Sequence, residues 1–453
     1  MPWNTMQFYF HKKTTMKKSI LLLLTIFLSS QIYFSQSVCD NGRYITSLFS
    51  NYTKTSNIQF GQNNSFTGAN YDLKMDVYEP TGDTMAFRPL IIWAHGGSFL
   101  GGDKGDSDVA ALCQRFTKRG FVCASVNYRT GFFPIDSANA VKAVVRAVQD
   151  MKASIRFFYK DRKDGINDYG IDTNNIFIGG SSAGAITALH IAYLDSTCKI
   201  SDYLNNTMIT NLEGLEGNSG NPCYSTKVQG VLNGAGALAR YAWIEDTHPP
   251  LCSVHGTNDN VVKYNRGVVN PGVPLMYLDG SRMLHEHANN IGLTNEFYTF
   301  NGVGHVPYAL STANMNITEN FYTDFLAQRL GCPNPGLQAA NAPSGTANLY
   351  SVTPCSGHLD ITFCNGSSIE EIEQDNIHVY PNPIKNEIYV SIKNGANFDI
   401  AISTIDGRVV RTYNALNQNQ ITIKDLNLSS GNYLLKFENK NTSQLIVKKI
   451  IIE

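Results

Sequence analysis

Residues 175–185 read NIFIGGSSAGA, and this stretch decides the fold. It begins as a short apolar run typical of a buried strand and continues into a helix of small and apolar residues, Ala183 to Leu194. Gly180 and Gly184 stand two residues either side of Ser182, which is the G-x-S-x-G spacing of a sharp strand-turn-helix turn. Side chains at both glycine positions would collide in such a turn, which lifts the serine hydroxyl clear of the sheet. The stretch therefore predicts a nucleophilic serine at the end of a strand.

Strands and helices alternate around this stretch. The residues before 71 are polar and turn-rich, 71–78 alternates like a half-exposed antiparallel strand, and 136–159 has apolar residues at helical spacing. The alternation favours an α/β doubly wound, mostly parallel sheet, with the functional site at the carboxyl ends of the strands. Further predicted strands are 89–94, 121–127, 227–233, 250–255 and 296–301, with a helix near 108–119.

Two downstream strand ends supply the partners that a serine nucleophile needs. A histidine held by a carboxylate removes the serine proton, and turns of this type place the three groups in the order Ser, Asp, His. LCSVHGTND (251–259) is a strand leading into a turn that ends at Asp259, and FYTFNGVGH (297–305) leads through a glycine turn to His305. We therefore predict Ser182 as nucleophile, Asp259 as acid and His305 as base. Taken singly, the acid and the base also fit a turn aspartate and a surface histidine.

The other histidines of this region are less suited to act as the base. His255 lies inside the turn that presents Asp259, where we expect it to brace the turn. His285 and His287 fall in a polar stretch that we predict to be helical, with no strand behind it, and His248 precedes two prolines in a loop.

The loop HGGSF at 95–99 is the predicted second half of an oxyanion hole. It follows a buried strand, and its glycines allow the backbone to approach a substrate oxygen. We expect the amides of Gly97 and Ser98 to donate there, together with Ala183 after the nucleophile, whereas Gly96 is a weaker candidate. The histidine of the loop is expected to shape it. A purely structural glycine turn is the alternative.

Size and composition narrow the possible functions. The chain has 453 residues, enough for two or three domains, and a net charge of −1, which gives no electrostatic basis for binding nucleic acid. Its nine cysteines show no zinc-binding spacing, and we predict neither a metal nor another cofactor. The odd number leaves at least one cysteine unpaired.

Residues 1–36 are the predicted export region. Lys17 and Lys18 precede the apolar run Ile20–Leu28, and small polar residues follow, as in a secretory signal peptide with Met16 as a candidate true start. The run is too short for a permanent transmembrane segment, although an N-terminal anchor is the alternative.

The catalytic domain is assigned to residues 37–332. Within it, residues 199–225 are rich in Asn, Gly and Ser and interrupt the strand-helix pattern. We interpret them as a cap over the site, stapled by a Cys198–Cys223 disulfide, or else as a plain surface insertion with two free thiols.

The remaining chain changes character twice. Residues 333–376 have the composition of a linker, in which Cys355 and Cys364 are able to close a small loop. Residues 377–453 show short alternating runs separated by turns, which predict a small all-β sandwich of about seven strands.

Residues 71–305 resemble an α/β-hydrolase, and within that fold the hormone-sensitive-lipase and feruloyl-esterase-like esterases. The resemblance implies the same triad and oxyanion donors at the matching positions. Ser98 departs from the pattern, because many relatives carry a third glycine there, but its backbone amide survives the change. The motifs that carry the resemblance are HGGSF (95–99), GSSAG (180–184), HGTND (255–259) and GVGH (302–305).

The tail, residues 377–453, resembles the C-terminal sorting domain of the type IX secretion system. The resemblance implies export through the periplasm and across the outer membrane with that machinery as partner, then release or attachment at the cell surface. Without it, the tail would read as a carbohydrate-binding or adhesive β-module. The motifs are VYPNP (379–383), IDGRVV (405–410), SGNYLLK (430–436) and KKII (448–451).

These observations together predict a secreted serine esterase that hydrolyses carboxylic esters through an acyl-enzyme. Surface location favours polymer-linked esters, such as acetyl or feruloyl groups on polysaccharide. A serine peptidase of the same fold is one alternative, although such enzymes usually carry an aromatic residue where this chain has Ser181. A non-catalytic binding protein on a hydrolase scaffold is the other.

Overall fold

The computed structural model divides the chain into two compact units, residues 1–363 and 364–453, which we describe separately. The predicted export region, including Met16, lies outside the described residues, as does Cys364. Across the part of the chain that is described, no helix is both long and apolar enough to cross a membrane. The described residues are 39–164, 167–343, 345–353, 355, 377–380, 384–392, 398–404, 408–415, 420–424, 426–439 and 445–452.

The first unit is built on an eight-stranded sheet of order β1-β2-β4-β3-β5-β6-β8-β11. The six strands from β4 to β11 in this order run parallel, and β1 and β2 are antiparallel additions at one edge. A small sheet of order β7-β10-β9 lies apart from it. The strands are β1 (Tyr52–Asn64), β2 (Asn70–Pro80), β3 (Arg88–Ala94), β4 (Val122–Val126), β5 (Ile171–Ser181), β6 (Val231–Gly234), β7 (Ala237–Leu238), β8 (Leu251–Gly256), β9 (Arg266–Val268), β10 (Tyr277–Gly280) and β11 (Asn295–Phe300).

Helices cover both faces of the sheet. Side chains alternate across a strand, so Leu90 and Ile92 of β3 join one buried cluster while Ile91 and Trp93 join another on the opposite face. α2 and α3 pack in the first cluster, and α1 and α8 in the second. The doubly wound α/β fold predicted from the sequence is thus confirmed. The helices are α1 (Ser107–Lys118), α2 (Ser137–Lys163), α3 (Ala183–Tyr193), α4 (Thr197–Ile200), α5 (Asn206–Asn211), α6 (Ser281–Ile291), α7 (Pro307–Leu310) and α8 (Thr312–Arg329).

β1 is the largest difference from the sequence-based expectation. The polar residues before 71 form a 13-residue strand that pairs with β2, with register irregularities after Thr55 and Gln59. Most of its side chains are at least partly exposed. An edge strand that buries no continuous face shows no apolar alternation, so the pattern did not reveal it.

Cysteine pairing also differs from the expectation. Cys198 is bonded to Cys355, so both the predicted Cys198–Cys223 staple and the predicted Cys355–Cys364 loop are wrong. Cys223 is also disulfide-bonded. The segment after α3 is also joined to α2 by hydrogen bonds and ion pairs, such as that from Gln149 Nε2 to the Gly214 carbonyl at 2.7 Å and that between Arg156 and Glu216 at 3.2 Å. A second disulfide joins Cys39 to Cys332. Among the described residues, the cysteines with free thiols are Cys113, Cys123 and Cys252, all of them buried.

The described residues of 337–355, which we call the strap, pack on the first unit although their composition is that of a linker. The strap forms no helix or strand in its described residues, and its backbone amide and carbonyl groups hydrogen-bond to side chains and backbone of the rest of the first unit. The Asn341 carbonyl accepts from the Thr299 amide at 3.1 Å, and the Tyr350 hydroxyl donates to Asp279 Oδ2 at 2.7 Å. The disulfide from Cys198 holds the far end.

The second unit is antiparallel throughout its described strands. One sheet has the order β12-β13-β16 and the other β15-β14-β17-β18. Apolar residues of both sheets, among them Ile388 and Leu435, share one buried cluster, which confirms the predicted small all-β domain. The strands are β12 (Ile377–Tyr380), β13 (Ile388–Ile392), β14 (Phe398–Thr404), β15 (Val409–Ala415), β16 (Gln420–Ile423), β17 (Gly431–Asn439) and β18 (Leu445–Ile452).

Candidate active site

Ser182 stands alone between the end of β5 and the start of α3. Its φ is 53°, in the left-handed region that side chains other than glycine rarely adopt, and its amide donates to the Gly234 carbonyl at 2.9 Å. A methyl group on Gly184 would lie 2.0 Å from the Ala94 carbonyl oxygen, and one on Gly180 would lie 2.2 Å from the Gly184 carbonyl carbon. The turn therefore leaves no room for a side chain at either position, and any other residue there would force the backbone to shift.

A chain of two hydrogen bonds leads from this serine to a buried carboxylate. The Ser182 hydroxyl lies 2.8 Å from His305 Nε2, and His305 Nδ1 lies 2.6 Å from Asp259 Oδ2. His305 follows β11 and Asp259 follows β8, which are neighbours in the sheet. Because an ionised carboxylate only accepts, Nδ1 carries the proton and donates to Asp259, which leaves Nε2 free to accept from the serine. The imidazole is thus oriented to take the serine proton.

Asp259 is held from several sides. Its side chain is fully buried, and the amides of Val261 and Val262 both donate to Oδ1 at 2.9 Å. Burial acts to raise the pKa of this carboxyl, but hydrogen bonds from His255 and His305 outweigh it and hold the pKa well below its usual range. The carboxylate therefore stays ionised under all ordinary conditions.

His255 occupies the bracing position that the sequence predicts. It is fully buried, with Nε2 3.0 Å from the Val262 carbonyl and Nδ1 2.8 Å from the Ser281 hydroxyl. Its Nε2 also lies 3.2 Å from Asp259 Oδ2. The ring ties the acid turn to the start of α6, and its polar contacts in the described chain are with Val262, Ser281 and Asp259 rather than with Ser182.

Backbone amides from two places lie beside Ser182: those of Gly97 and Ser98 in the loop 95–98, and that of Ala183 at the start of α3. Gly97 has a φ of 107° and Ser98 one of 56°, and a methyl group on Gly97 would lie 2.1 Å from the Gly101 carbonyl oxygen. In the described chain, the amides of Gly97, Ser98 and Ala183 donate to no protein acceptor. Unused donors beside a nucleophile are what an oxyanion hole requires. Ser98 adopts the positive φ that glycine would adopt freely.

His95 and Tyr128 support this loop from behind. The two rings stack at 4.4 Å, and the Tyr128 hydroxyl donates to the His95 carbonyl at 2.9 Å and lies 3.2 Å from that of Gly96. Burial lowers the pKa of His95, so its ring is neutral. Its Nδ1 lies 2.7 Å from the Gly96 carbonyl oxygen, which keeps it occupied within the loop.

Two spaces of opposite character meet at Ser182. The apolar pocket, of about 60 Å³, runs between α2, α3 and the segment that follows α3. The open cleft, of about 420 Å³, lies on the side of His305 and is wider and more polar. Ser98 and Ser182 border both. Representative walls of the apolar pocket are Val141, Val144, Ile186, Leu194, Trp243 and Leu275, and those of the open cleft are Gly97, Asp108, Asn270, Gly272, His305 and Val306.

One group of potential metal ligands is found among the described residues: Asp195, Glu245 and His248. It already contains a cation, because the Lys199 ammonium lies 2.7 Å from Asp195 and 2.8 Å from Glu245. None of these four side chains belongs to the serine-histidine-aspartate chain.

Comparison with known proteins agrees with both units. Residues 75–237 match the BD-FAE family and residues 378–453 match the Secretion system C-terminal sorting domain. The two matches confirm the family resemblances that the motifs predict. The chain therefore contains an α/β-hydrolase domain of an esterase family, followed by a secretion-system sorting domain that implies export.

Individual relatives are similar over shorter stretches. Gut esterase 1 of Caenorhabditis briggsae is 31% identical over 98 residues, which is 21% of this chain and 17% of that protein. Carboxylesterase 3B of Mus musculus is 30% identical over 138 residues, 29% of this chain and 23% of that protein. The alignments thus span about a fifth of these curated relatives. The solved structure of an esterase from the Planctomycetes species Thermogutta terrifontis is 19% identical, with 59% of this chain and 90% of that one covered and a TM-score of 0.43.

The structure brings together all six residues that the sequence proposes for the site, and it adds two that sequence reasoning missed. Asp108 and Asn270 line the open cleft beside Ser182. Asp108 follows the HGGSF loop closely, in the first turn of α1, and this proximity was the available signal. Asn270 lies in an irregular loop after β9 and carries no motif.

Proposed function

We propose that this chain is an exported serine esterase that hydrolyses carboxylic esters through an acyl-enzyme intermediate. The observation that supports this most strongly is the continuous hydrogen-bonded chain from the Ser182 hydroxyl through His305 to Asp259. Three residues distant in sequence meet there with the geometry of nucleophile, general base and orienting carboxylate. They lie at the carboxyl ends of β5, β11 and β8.

The first half-reaction forms the acyl-enzyme. Ser182 Oγ attacks the ester carbonyl carbon while His305 Nε2 takes its proton. The carbonyl oxygen becomes an oxyanion, and the unused amides of Gly97, Ser98 and Ala183 donate to it. Collapse of the tetrahedral intermediate breaks the bond to the alcohol oxygen, which receives the proton from His305.

The second half-reaction releases the acid. His305 removes a proton from water, and the resulting hydroxide attacks the acyl carbon in the same oxyanion hole. Ser182 Oγ leaves and regains its proton from His305. Asp259, ionised throughout, stabilises the imidazolium that forms in each half-reaction, so the residues need no cofactor.

We extend the proposal to substrate and route. The sorting domain supports delivery by the type IX machinery to the outside of the cell, and this location favours polymer-linked esters as substrates. Acetyl or feruloyl esters of polysaccharide are our specific candidates, consistent with the BD-FAE match of residues 75–237. A reporter fused ahead of residues 377–453 is expected to leave the cell with the tail and to remain in the periplasm without it.

The activity is tested by assaying the purified full-length chain beside Ser182→Ala. The panel contains p-nitrophenyl acetate, butyrate and octanoate, methyl ferulate, acetylated xylan and a peptide anilide. We expect ester hydrolysis by the wild type and at least about a 10⁴-fold loss in the variant. Cleavage of the anilide alone would indicate a peptidase, and no cleavage of any substrate would favour a binding protein.

A further inference from the structure

The two spaces beside Ser182 must receive different halves of an ester. In the proposed reaction His305 protonates the alcohol oxygen as it leaves, so the alcohol half must lie on the side of the imidazole. Among the described lining residues, His305 borders the open cleft and not the apolar pocket. The alcohol therefore occupies the open cleft, and the acyl group occupies the apolar pocket.

The open cleft carries a carboxylate close to the nucleophile. Both side chains lie next to Gly96, because a methyl group built on Gly96 would be 3.5 Å from Ser182 Cβ and 3.6 Å from Asp108 Oδ2. Asp108 is half-buried, and it is held from one side only: its Oδ1 accepts from the Val109 amide at 2.9 Å. Its position is fixed by the first turn of α1.

The second oxygen of Asp108 is unused. Within the described residues, Oδ2 has no hydrogen-bond donor and no lysine or arginine forms an ion pair with Asp108. Its neighbours differ, because Asp106 Oδ2 accepts from the Asp103 amide and Asp103 Oδ2 accepts from Asn127. Asp108 thus presents a charged acceptor to whatever enters the cleft.

Asn270 presents a donor to the same space. Its carboxamide oxygen accepts from the Gly272 amide at 3.1 Å, and in the described chain its NH₂ group has no acceptor. A free acceptor and a free donor suit a ligand that carries several hydroxyl groups, since each hydroxyl both donates and accepts. The described lining of the open cleft contains no Phe, Tyr or Trp. Quaternary ammonium groups are recognised by the faces of such aromatic rings, so the lining does not favour a cationic alcohol.

We infer that Asp108 is a specificity residue that accepts a hydrogen bond from a hydroxyl group of the alcohol half of the ester. The preferred substrates are then esters whose alcohol carries several hydroxyl groups, as sugars do. This inference rests on the proposed function. Asn270 donates to a second hydroxyl of the same alcohol. The acyl group, in the apolar pocket, makes no contact with either side chain.

Four acetate esters of constant acyl group test the inference. Methyl 3-O-acetyl-xylopyranoside carries free hydroxyls, butyl acetate and p-nitrophenyl acetate carry none, and acetylcholine carries a cation. Asp108→Ala is expected to raise KM for the xyloside about tenfold, the loss of one charge-assisted hydrogen bond, with kcat within about twofold. Butyl acetate and p-nitrophenyl acetate, which carry neither a hydroxyl nor a charge on the alcohol half, should change by less than about twofold. Asp106→Ala, which removes a carboxylate of the same loop, is the matched control.

The outcomes separate this inference from the proposed function. Wild-type hydrolysis with equal changes on all four esters would overturn the role of Asp108 and leave the esterase intact. A selective loss on acetylcholine would overturn the hydroxyl assignment in favour of a cation. Absence of wild-type hydrolysis of p-nitrophenyl acetate would instead refute the proposed function. Asp108→Asn, which keeps the shape but not the charge, tests the inference if the alanine variant unfolds, and it should show a smaller rise of KM in the same direction.

Discussion

The turn at Ser182 and the strap are both irregular backbone, yet different forces hold them. At the turn, backbone contacts backbone: any side chain at Gly184 would lie within 2.0 Å of the Ala94 carbonyl oxygen. The strap is held by separate side-chain contacts, such as the Arg266 guanidinium 4.1 Å from the centre of the Tyr350 ring, and by the Cys198–Cys355 disulfide. At the turn, the closely packed backbone cannot move aside to make room for a larger residue. At the strap, each side-chain contact can be removed while the others remain.

This difference sets the expected size of mutational effects. Changes at the catalytic edge of the sheet should act on all activity or on the whole fold. Changes at the strap should be moderate and should leave chemistry at Ser182 in place.

Replacing Asp259 with Asn should reduce kcat on p-nitrophenyl butyrate by about 10⁴-fold, because the neutral amide no longer fixes the His305 tautomer. Thermal unfolding should show that the fold persists. The matched control is Asp195→Asn, an acidic residue outside the triad, for which kcat should change by less than about twofold. A loss of less than tenfold in Asp259→Asn would contradict the assigned role.

Gly184→Ala should lower the free energy of unfolding by about 4 kcal/mol, the upper range for single substitutions, because the new methyl meets backbone that cannot move aside. Urea unfolding of the full chain measures it. Gly101→Ala is the control, since a methyl there meets nothing within 4 Å. Equal stability of the two variants would show that the turn is less tightly packed than the structure indicates.

Removing the strap disulfide by Cys198→Ser with Cys355→Ser should lower the free energy of unfolding by about 3 kcal/mol, mainly because the unfolded chain gains freedom. The hydrolysis rate of p-nitrophenyl acetate should stay within about threefold of the wild type. Urea unfolding without reductant gives the first value. Complete loss of activity in a folded variant would show that the strap and the catalytic edge are not independent.

His285 should make stability depend on pH. It lies in α6, the helix that holds the strap, and burial lowers its pKa from 6.5 to about 4, with smaller opposing and assisting effects from Asn295 and Arg282. In the unfolded chain this histidine is protonated as the pH falls below about 6.5, whereas in the folded chain it stays neutral until the pH is near 4. Because the unfolded state binds the extra proton between these two values, the free energy of unfolding decreases as the pH decreases through this window. Between pH 7.5 and 5.0 we expect a loss of about 2 kcal/mol from this group.

The matched variant for that prediction is His285→Gln, which does not titrate. Its urea midpoint should depend less on pH than that of the wild type. His190 of α3, whose pKa burial also lowers to about 4, should supply a similar loss that remains in the variant. An identical pH dependence with and without His285 would refute the assignment.

The site was predictable from sequence to the extent that its chemistry is local. The turn at Ser182 needs glycines at fixed spacing, and His305 and Asp259 each end an apolar run, so periodicity and turn residues locate all three. Parallel strands then bring their carboxyl ends together without further information. The structure adds the distances, the burial of Asp259 and the support of the oxyanion loop by Tyr128.

The features that sequence missed depend on distant parts of the chain. The partner of Cys198 is decided by where the strap passes, 157 residues later, and spacing carries no such information. β1 buries no continuous face, so it shows no periodic signal. Asp108 resembles any acidic residue in the first turn of a helix, and only the fold reveals that it lines the cleft beside Ser182.

Covalent labelling with a fluorophosphonate, followed by intact-mass measurement and peptide mapping, tests directly whether Ser182 is an activated nucleophile. We expect one phosphonyl group per wild-type chain, on Ser182, and none on Ser182→Ala under the same conditions. Equal labelling of the two chains, or a label on another residue, would contradict the claim that Ser182 is the activated nucleophile.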